Sequence, residues 1–116
     1  MAKQTSYHKG VVAENIVADH YTQCGHQAKA SRMKTAYGEV DLVMEKNNQY
    51  VFVEVKCSKT FAQAAIRITQ RQIERIHAAA EDYLARLGLF GLVDCRFDAA
   101  LVDANGQVEI VENAFI

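Results

Sequence analysis

The sequence predicts an α/β fold in which a mixed sheet of about five strands is flanked by helices. Two segments repeat their apolar residues with a helical period, whereas the segments between and after them alternate apolar and polar residues. Turn-forming Gly and Asn residues separate these segments. The predicted order is therefore one helix, three strands, a second helix and two further strands.

The first helix is predicted over residues 10–24. Its apolar stripe has the spacing of one helix face and consists of Ala13, Ile16, Val17, His20, Tyr21 and Cys24. His20 is therefore expected to pack in the core, and Gly25 is the expected C-cap. Glu14 lies beside the stripe, near the beginning of the helix. A short strand is expected within residues 27–34.

A β-hairpin is predicted after this strand. Residues 39–45 and 50–56 alternate in polarity and are rich in Val, Leu, Phe and Tyr, as strands are. The sequence KNNQ between them suits a tight turn, because Asn tolerates the left-handed backbone conformation that such turns require.

The second half of the chain predicts a long helix and two strands. The helix covers residues 62–87 and ends at Gly88. Its apolar positions follow helical spacing and are Ile66, Ile73, Ile76, Ala80, Tyr83, Leu84 and Leu87. Strands are predicted over residues 94–102 and 108–111, with a turn between them.

Length, charge and cysteine content limit the class of protein. The 116 residues are expected to form one domain, residues 1–116. The apolar runs are far shorter than the ~20 residues of a membrane-spanning helix, so no membrane role is expected. Cys24, Cys57 and Cys95 show no metal-binding spacing, which favours the reducing cytoplasm over a zinc site. The net charge of −1 is unusual for a nucleic-acid binder, so any such contact must depend on local charge.

The hairpin places charged side chains on strands that should fill a core. Side chains two residues apart share a face, so Glu39 lies with Asp41, and Glu54 lies with Lys56. Antiparallel pairing about the KNNQ turn places Asp41 opposite Glu54. The apolar residues of the same segments, Leu42, Val53 and Val55, are expected on the other face.

Two neighbouring carboxylates repel each other, and a bound cation relieves this repulsion. Oxygen ligands favour Mg²⁺ or Mn²⁺, which polarise phosphoryl groups and activate water. A nearby lysine stabilises the charge that develops on a phosphate. Asp41, Glu54 and Lys56 therefore have the chemistry of a metal-dependent phosphodiesterase. The alternative is that Glu and Lys simply alternate on the solvated face of a hairpin.

The spacing D-x(12)-E-V-K resembles the PD-(D/E)XK nuclease motif of restriction-endonuclease-like proteins. The surrounding segments GEVDLV, VFVEVK, RIHAAAEDYL, VDCRFDAALV and NAF resemble the YraN-like family of predicted endonucleases, which is related in fold to Holliday-junction resolvases. The resemblance extends from Glu14 to Phe115. It implies a three-layer restriction-endonuclease-like α/β core with the active site on one face.

The resemblance also implies roles for individual residues. Asp41 and Glu54 would be metal-binding carboxylates, Lys56 the catalytic lysine, and the backbone carbonyl of Val55 a further metal ligand. Glu14 corresponds to the acidic residue that reaches the metal from the first helix.

Glu39 corresponds to the glutamate of the family's GEID motif and joins the predicted catalytic residues. The chain departs from the family at three other positions. Arg32 and Lys34 stand where the family tends to have Asn and Arg, and Gln72 stands where lysine is frequent. These residues are predicted substrate contacts.

A basic stripe is predicted along the second helix. Arg67, Arg71 and Arg75 are spaced four residues apart and could bind phosphates, with Gln70 and Gln72 reaching the cleft. The alternative is a solvated helix face. Arg96 and Asp98 share a strand face, where a structural ion pair is preferred to a catalytic role.

Three functional hypotheses follow. The first is a Mg²⁺- or Mn²⁺-dependent nuclease that cleaves DNA, branched or single-stranded, and forms a homodimer as its resolvase relatives do. The second is a non-catalytic module that keeps the nuclease fold and binds nucleic acid or a repair partner. The third is a small interaction protein that binds no nucleic acid.

Overall fold

One helix, three strands, two helices and two strands follow one another in a computed structural model that describes residues 6–115, with side chains from residue 9 onward. The predicted domain of residues 1–116 extends beyond this range at both ends. The elements in chain order are α1 (Ser6–Gln23), β1 (Gln27–Thr35), β2 (Gly38–Lys46), β3 (Gln49–Cys57), α2 (Phe61–Ile66), α3 (Gln70–Arg86), β4 (Asp94–Val102) and β5 (Val108–Val111). None of the described helices combines the length and apolar character needed to span a bilayer.

The strands form one mixed sheet in the order β1-β2-β3-β4-β5. The first three strands pair antiparallel, β3 pairs parallel with β4, and β5 pairs antiparallel with β4. A parallel pair requires a long crossover connection, which α2 and α3 supply between β3 and β4. The predicted α/β class and the five-stranded mixed sheet are confirmed.

Helices cover both faces of the sheet and bury two apolar clusters. The cluster on the side of α2 and α3 includes Val40, Phe52, Ile76, Ala80 and Leu84. The cluster under α1 includes Ala13, Val17, Tyr21, Val51 and Val53. The arrangement of helix, sheet and helix is compatible with the three-layer core that the resemblance implies.

The predicted helix over residues 62–87 is wrong as a single element, because the chain forms two helices there. Thr69 interrupts the helix: its hydroxyl accepts a hydrogen bond from the Gln72 N–H, and its own N–H donates to the Gln72 side chain. This reciprocal capping box satisfies backbone donors at the beginning of α3. Ile66, placed in the predicted apolar stripe, is consequently 80% exposed at the end of α2.

The apolar stripe of α1 is narrower than predicted. Ala13, Val17 and Tyr21 are buried, whereas His20 and Cys24 are exposed. The predicted core position of His20 is wrong, because α1 buries the line of residues four apart and His20 lies beside that line. Its ring meets Tyr21 only in an edge contact with centroids 6.2 Å apart.

Candidate metal centre

The β2–β3 pairing ends next to the predicted acidic residues. The Cα partners run from Lys46 and Gln49 to Leu42 and Val53, which confirms the predicted register. Beyond Leu42 and Val53, a side chain provides the next hydrogen bond between the two strands: the Asp41 Oδ2 atom accepts a 2.8 Å hydrogen bond from the Val55 N–H. The Asp41 carboxylate is therefore held at the end of the paired strands.

An irregularity in β2 explains how Asp41 reaches this position. Val40 packs in the cluster under α3, whereas Leu42 packs in the cluster under α1, although residues two apart in a regular strand share a face. On the neighbouring strand, Arg32 has a φ of 49°, in the left-handed region. The strict alternation predicted for residues 39–42 is therefore broken at Asp41. The prediction that Leu42, Val53 and Val55 share one face is confirmed.

Glu54 is a buried acid beside Asp41. The residue is 7% exposed in the middle layer of the molecule. Burial raises the pKa of Glu54 to about 8, and the hydrogen bond and negative charge of Asp41 add to this shift. Lys56 acts in the opposite direction, with its Nζ atom 3.5 Å from Glu54 Oε1. Without another cation, burial and the neighbouring Asp41 charge favour a proton on Glu54 at neutral pH.

Glu14 approaches the same region from α1 but is held by an arginine. Arg32 Nε lies 2.9 Å from Glu14 Oε1, and Arg32 Nη2 lies 3.4 Å from Glu14 Oε2. Burial raises the pKa of Glu14, the negative charges of Asp41 and Glu39 raise it further, and Arg32 opposes the shift. Asp41 thus interacts electrostatically with both Glu14 and Glu54. The exposed Glu39 lies at the edge of this group.

The carboxylates of Asp41 and Glu54 form at most part of a cation site. Within residues 9–115, no three His, Cys, Asp or Glu side chains lie close enough together to hold a metal ion. Asp41 and Glu54 offer two neighbouring carboxylates, and the Val55 carbonyl remains a predicted third ligand. Two carboxylates completed by water are a donor set that Mg²⁺ accepts. A buried carboxyl pair with one raised pKa is also the electrostatic setting that a cation relieves.

The predicted basic stripe is wrong as a continuous helix face. Arg67 caps the end of α2 and donates a 2.8 Å hydrogen bond from Nη1 to the carbonyl of Cys57. It therefore supports the end of β3. Arg71 and Arg75 lie on α3, after the helix interruption, and both are exposed.

Arg75 brings α3 close to the beginning of β2. An ideal Cβ built on Gly38 would lie 3.2 Å from the Arg75 Cβ atom, and Gly38 has a φ of 150°. Glycine permits both this backbone conformation and the close approach. The aliphatic part of Arg75 therefore packs against Gly38, which precedes Asp41 by three residues in the chain.

The other predicted nucleic-acid contacts have different surroundings. Gln70 is exposed at the beginning of α3, and the Gln72 side chain is engaged in the capping box. Lys34 is exposed on β1 as the Cα partner of Glu39. Arg32 forms an ion pair with Glu14 of α1 and does not lie with the α3 residues.

Asp98 forms a structural network apart from these acids, as predicted for its pair with Arg96. It is fully buried and accepts hydrogen bonds from Arg96 Nε at 2.9 Å, Arg96 Nη2 at 3.0 Å, the Tyr21 hydroxyl at 2.7 Å and the Asn113 N–H at 3.0 Å. Burial and the Asp98 carboxylate raise the pKa of Tyr21. The network joins α1, β4 and the segment after β5.

Comparison with known proteins assigns the chain to a family. The family model described as "Uncharacterised protein family UPF0102" matches residues 13–102, which include the whole candidate centre. The chain belongs to the UPF0102 family. A UPF0102 protein of Cereibacter sphaeroides is 44% identical over 115 residues, which cover 99% of this chain and 98% of the relative.

Two further UPF0102 proteins show the same full-length similarity. That of Roseobacter denitrificans is 46% identical over 97% of this chain and 88% of its own length. That of Rhodopseudomonas palustris is 36% identical over 99% of this chain and 88% of its own length. The membership confirms the family that the sequence motifs resemble, and the names of these relatives state no activity.

Sequence reasoning missed two contacts of predicted site residues, the Glu14–Arg32 ion pair and the Thr69–Gln72 capping box. The spacing of Glu14 and Arg32, on different elements, carries no local signal that they form an ion pair. The interruption before α3 has a local sequence signal, because Thr69 and Gln72 have the spacing of a capping box. The helical period of the apolar residues on both sides of Thr69 favours a continuous helix and outweighs this signal.

Proposed function

We propose that this UPF0102 protein is a nuclease that uses Mg²⁺ or Mn²⁺ to hydrolyse phosphodiester bonds in DNA. The observation that carries the proposal is the burial of Glu54 against Asp41, which raises the pKa of Glu54 to about 8. Burying two carboxylates together is costly unless a proton or a cation neutralises them. A site that binds a divalent ion gives a functional reason for this arrangement.

The residues of the proposed centre have different roles. Asp41 and Glu54 would hold the ion, which would supply a Lewis acid next to the scissile phosphate. The Val55 N–H orients the Asp41 carboxylate through its 2.8 Å hydrogen bond. Lys56, whose side chain is 16% exposed, would stabilise the negative charge that develops on the phosphate.

The DNA substrate would reach the centre along α3. Arg71 and Arg75 are exposed on this helix, and Arg75 packs against the beginning of β2, near Asp41. Gln70 lies beside Arg71 at the beginning of the same helix. These side chains suit contacts with phosphates, which position a nucleic acid without reading its sequence. Branched or single-stranded DNA and a homodimeric enzyme remain part of the proposal through the resemblance to resolvases.

The second candidate is a non-catalytic module that binds nucleic acid or a repair partner. Two observations favour it. Glu14, expected to reach the metal, is paired with Arg32, and Gln72, expected at the substrate, is engaged in the capping box. Such a module would bind DNA equally well with and without divalent ions.

Metal binding separates the two candidates. We expect calorimetry to detect Mn²⁺ binding by the wild type and not by an Asp41→Asn, Glu54→Gln double variant. The same proteins would be incubated with linear, single-stranded and four-way-junction DNA, with Mg²⁺ or with EDTA. Cleavage that requires both the ion and the two carboxylates would support the nuclease.

Glu81→Gln is the matched control, because Glu81 is an exposed acid on α3. It should bind Mn²⁺ like the wild type. If the folded wild type binds neither ion, even with DNA present, the nuclease proposal is refuted and the binding module becomes the leading candidate.

A further inference from the structure

We infer that the Arg32 guanidinium occupies the position of a second cation beside Glu14, so that the centre binds a single divalent ion. The inference rests on the proposed function, since it concerns the same metal centre. It assigns Arg32 a role in metal stoichiometry instead of the DNA contact predicted from the sequence.

The geometry of the ion pair supports this assignment. Arg32 approaches both carboxylate oxygens of Glu14, at 2.9 and 3.4 Å, which is the two-point contact that a guanidinium makes with a carboxylate. The side chains are only 30% and 13% exposed, so water screens the pair incompletely. Both oxygens that Glu14 could offer to a metal are therefore already bound by a fixed positive charge.

The backbone of Arg32 holds it at the centre. Its φ of 49° places it in a conformation that non-glycine residues seldom adopt. On one side of Arg32, Ser31 pairs with Leu42, and on the other side Met33 pairs with Val40. Arg32 and Asp41 are therefore the two residues between these pairs, at the irregularity of β2. Arg32 and Asp41 thus lie at the same level of the sheet, and Asp41 also interacts electrostatically with Glu14.

Charge balance leads to the same conclusion. The Arg32 guanidinium already supplies a positive charge to the Glu14 carboxylate and opposes the rise in the pKa of Glu14. Asp41 and Glu54, with Lys56 3.5 Å from Glu54, then remain for an incoming ion. A divalent ion at Glu14 would have to displace the charge that Arg32 supplies.

Removal of the guanidinium would leave room for an ion. Glu14 and Arg32 line a groove of about 530 Å³ between α1 and β1, together with the exposed residues Asn15, Lys29 and Ser31. Hydrated cations can therefore reach the Glu14 carboxylate from this groove once Arg32 no longer covers it.

The test is the number of Mn²⁺ ions bound per chain, measured by calorimetry and by electron paramagnetic resonance on the full chain. We expect one ion for the wild type, two for Arg32→Gln with the second more weakly bound, and one for Arg32→Lys, which keeps the positive charge. Asp41→Asn should abolish binding of the first ion. Thermal melting would confirm that each variant is folded.

Glu14→Gln provides a second test that does not depend on changing Arg32. If Arg32 replaces a cation at Glu14, this variant should still bind one ion, with an affinity within about threefold of the wild type. Loss of the ion would make Glu14 a ligand and overturn the inference.

The remaining outcomes separate the inference from the proposed function. Two ions in the wild type, or one ion in the folded Arg32→Gln variant, would overturn the inference and leave the nuclease proposal standing. No ion in the wild type would refute the metal centre itself, and both proposals with it.

Discussion

Asp98 and Glu54 are both buried carboxylates, and their surroundings stabilise a buried negative charge to very different extents. Asp98 is fully buried and receives four hydrogen bonds, two of them from an arginine. Glu54 is almost as buried, but its neighbours are another acid and a lysine 3.5 Å away. Asp98 is stabilised by four donors and supports the fold, whereas the burial of Glu54 beside a second acid raises its pKa, which is the electrostatic feature on which the proposed metal centre rests.

The raised pKa of Glu54 makes the stability of the metal-free protein depend on pH. The folded state holds a proton on Glu54 up to about pH 8, whereas the unfolded state releases it near 4.5. Between these values the folded state binds more protons, so Glu54 should lower the free energy of unfolding as pH rises, by at most about 1.4 kcal/mol per pH unit. Urea denaturation in EDTA at pH 5, 6, 7 and 8 measures this slope.

Glu54→Gln should make that slope shallower, because the amide does not titrate and Glu14, whose pKa is also raised, still does. Glu81→Gln should preserve the slope. An equally steep decline in Glu54→Gln would show that another group causes the pH dependence.

Asp98 should matter for stability and not for metal binding. Asp98→Ala removes four hydrogen bonds and leaves Arg96 and the Tyr21 hydroxyl without their acceptor, so we expect a loss of about 3–5 kcal/mol in the free energy of unfolding. Chemical denaturation measures the loss. Mn²⁺ affinity of the folded variant should equal that of the wild type, and a selective loss of Mn²⁺ binding would contradict a purely structural role.

At the scale of elements, helix ends decide which side chains are available for function. The capping box separates α2 from α3, so Arg67 bonds to the end of β3, while Arg71 and Arg75 remain on an exposed helix. An uninterrupted helix would have aligned all three arginines on one face. The break therefore reduces the predicted basic stripe to two residues.

Thr69→Ala should weaken α3 by removing its N-cap. The hydroxyl accepts a hydrogen bond from the Gln72 N–H at 3.2 Å, and loss of such a cap typically costs about 1 kcal/mol. Thr69→Ser keeps the hydroxyl and should retain most of the stability. Denaturation of the three proteins tests this, and equal stability of Thr69→Ala and the wild type would show that the cap is energetically unimportant.

At the scale of the whole molecule, the net charge of −1 leaves little general attraction for DNA. The proposed DNA binding therefore requires positive charge concentrated where a phosphate backbone would lie. The charges available on α3 are Arg71 and Arg75, at the end of the helix that approaches β2. Arg86, at the other end of α3, is paired with Asp82 at 3.0 Å.

The salt dependence of DNA binding tests the α3 surface. If Arg71 and Arg75 each contact one phosphate, replacing both with Gln should reduce the slope of log affinity against log salt by about 2. Arg86→Gln is the matched control and should keep the wild-type slope. Fluorescence anisotropy with a labelled DNA junction measures these slopes, and equal slopes for all three proteins would exclude α3 as the phosphate-binding surface.

The sequence by itself determined the α/β class, the hairpin register and the family, because these depend on local periodicity, turn chemistry and contiguous motifs. It also brought Asp41 and Glu54 together, since the register of a hairpin follows from its turn. The tertiary structure alone decided that Glu14 is bound by Arg32 and that His20 is exposed. Those outcomes depend on how α1 is rotated and placed over the sheet, and helix packing is set by contacts between residues far apart in the chain.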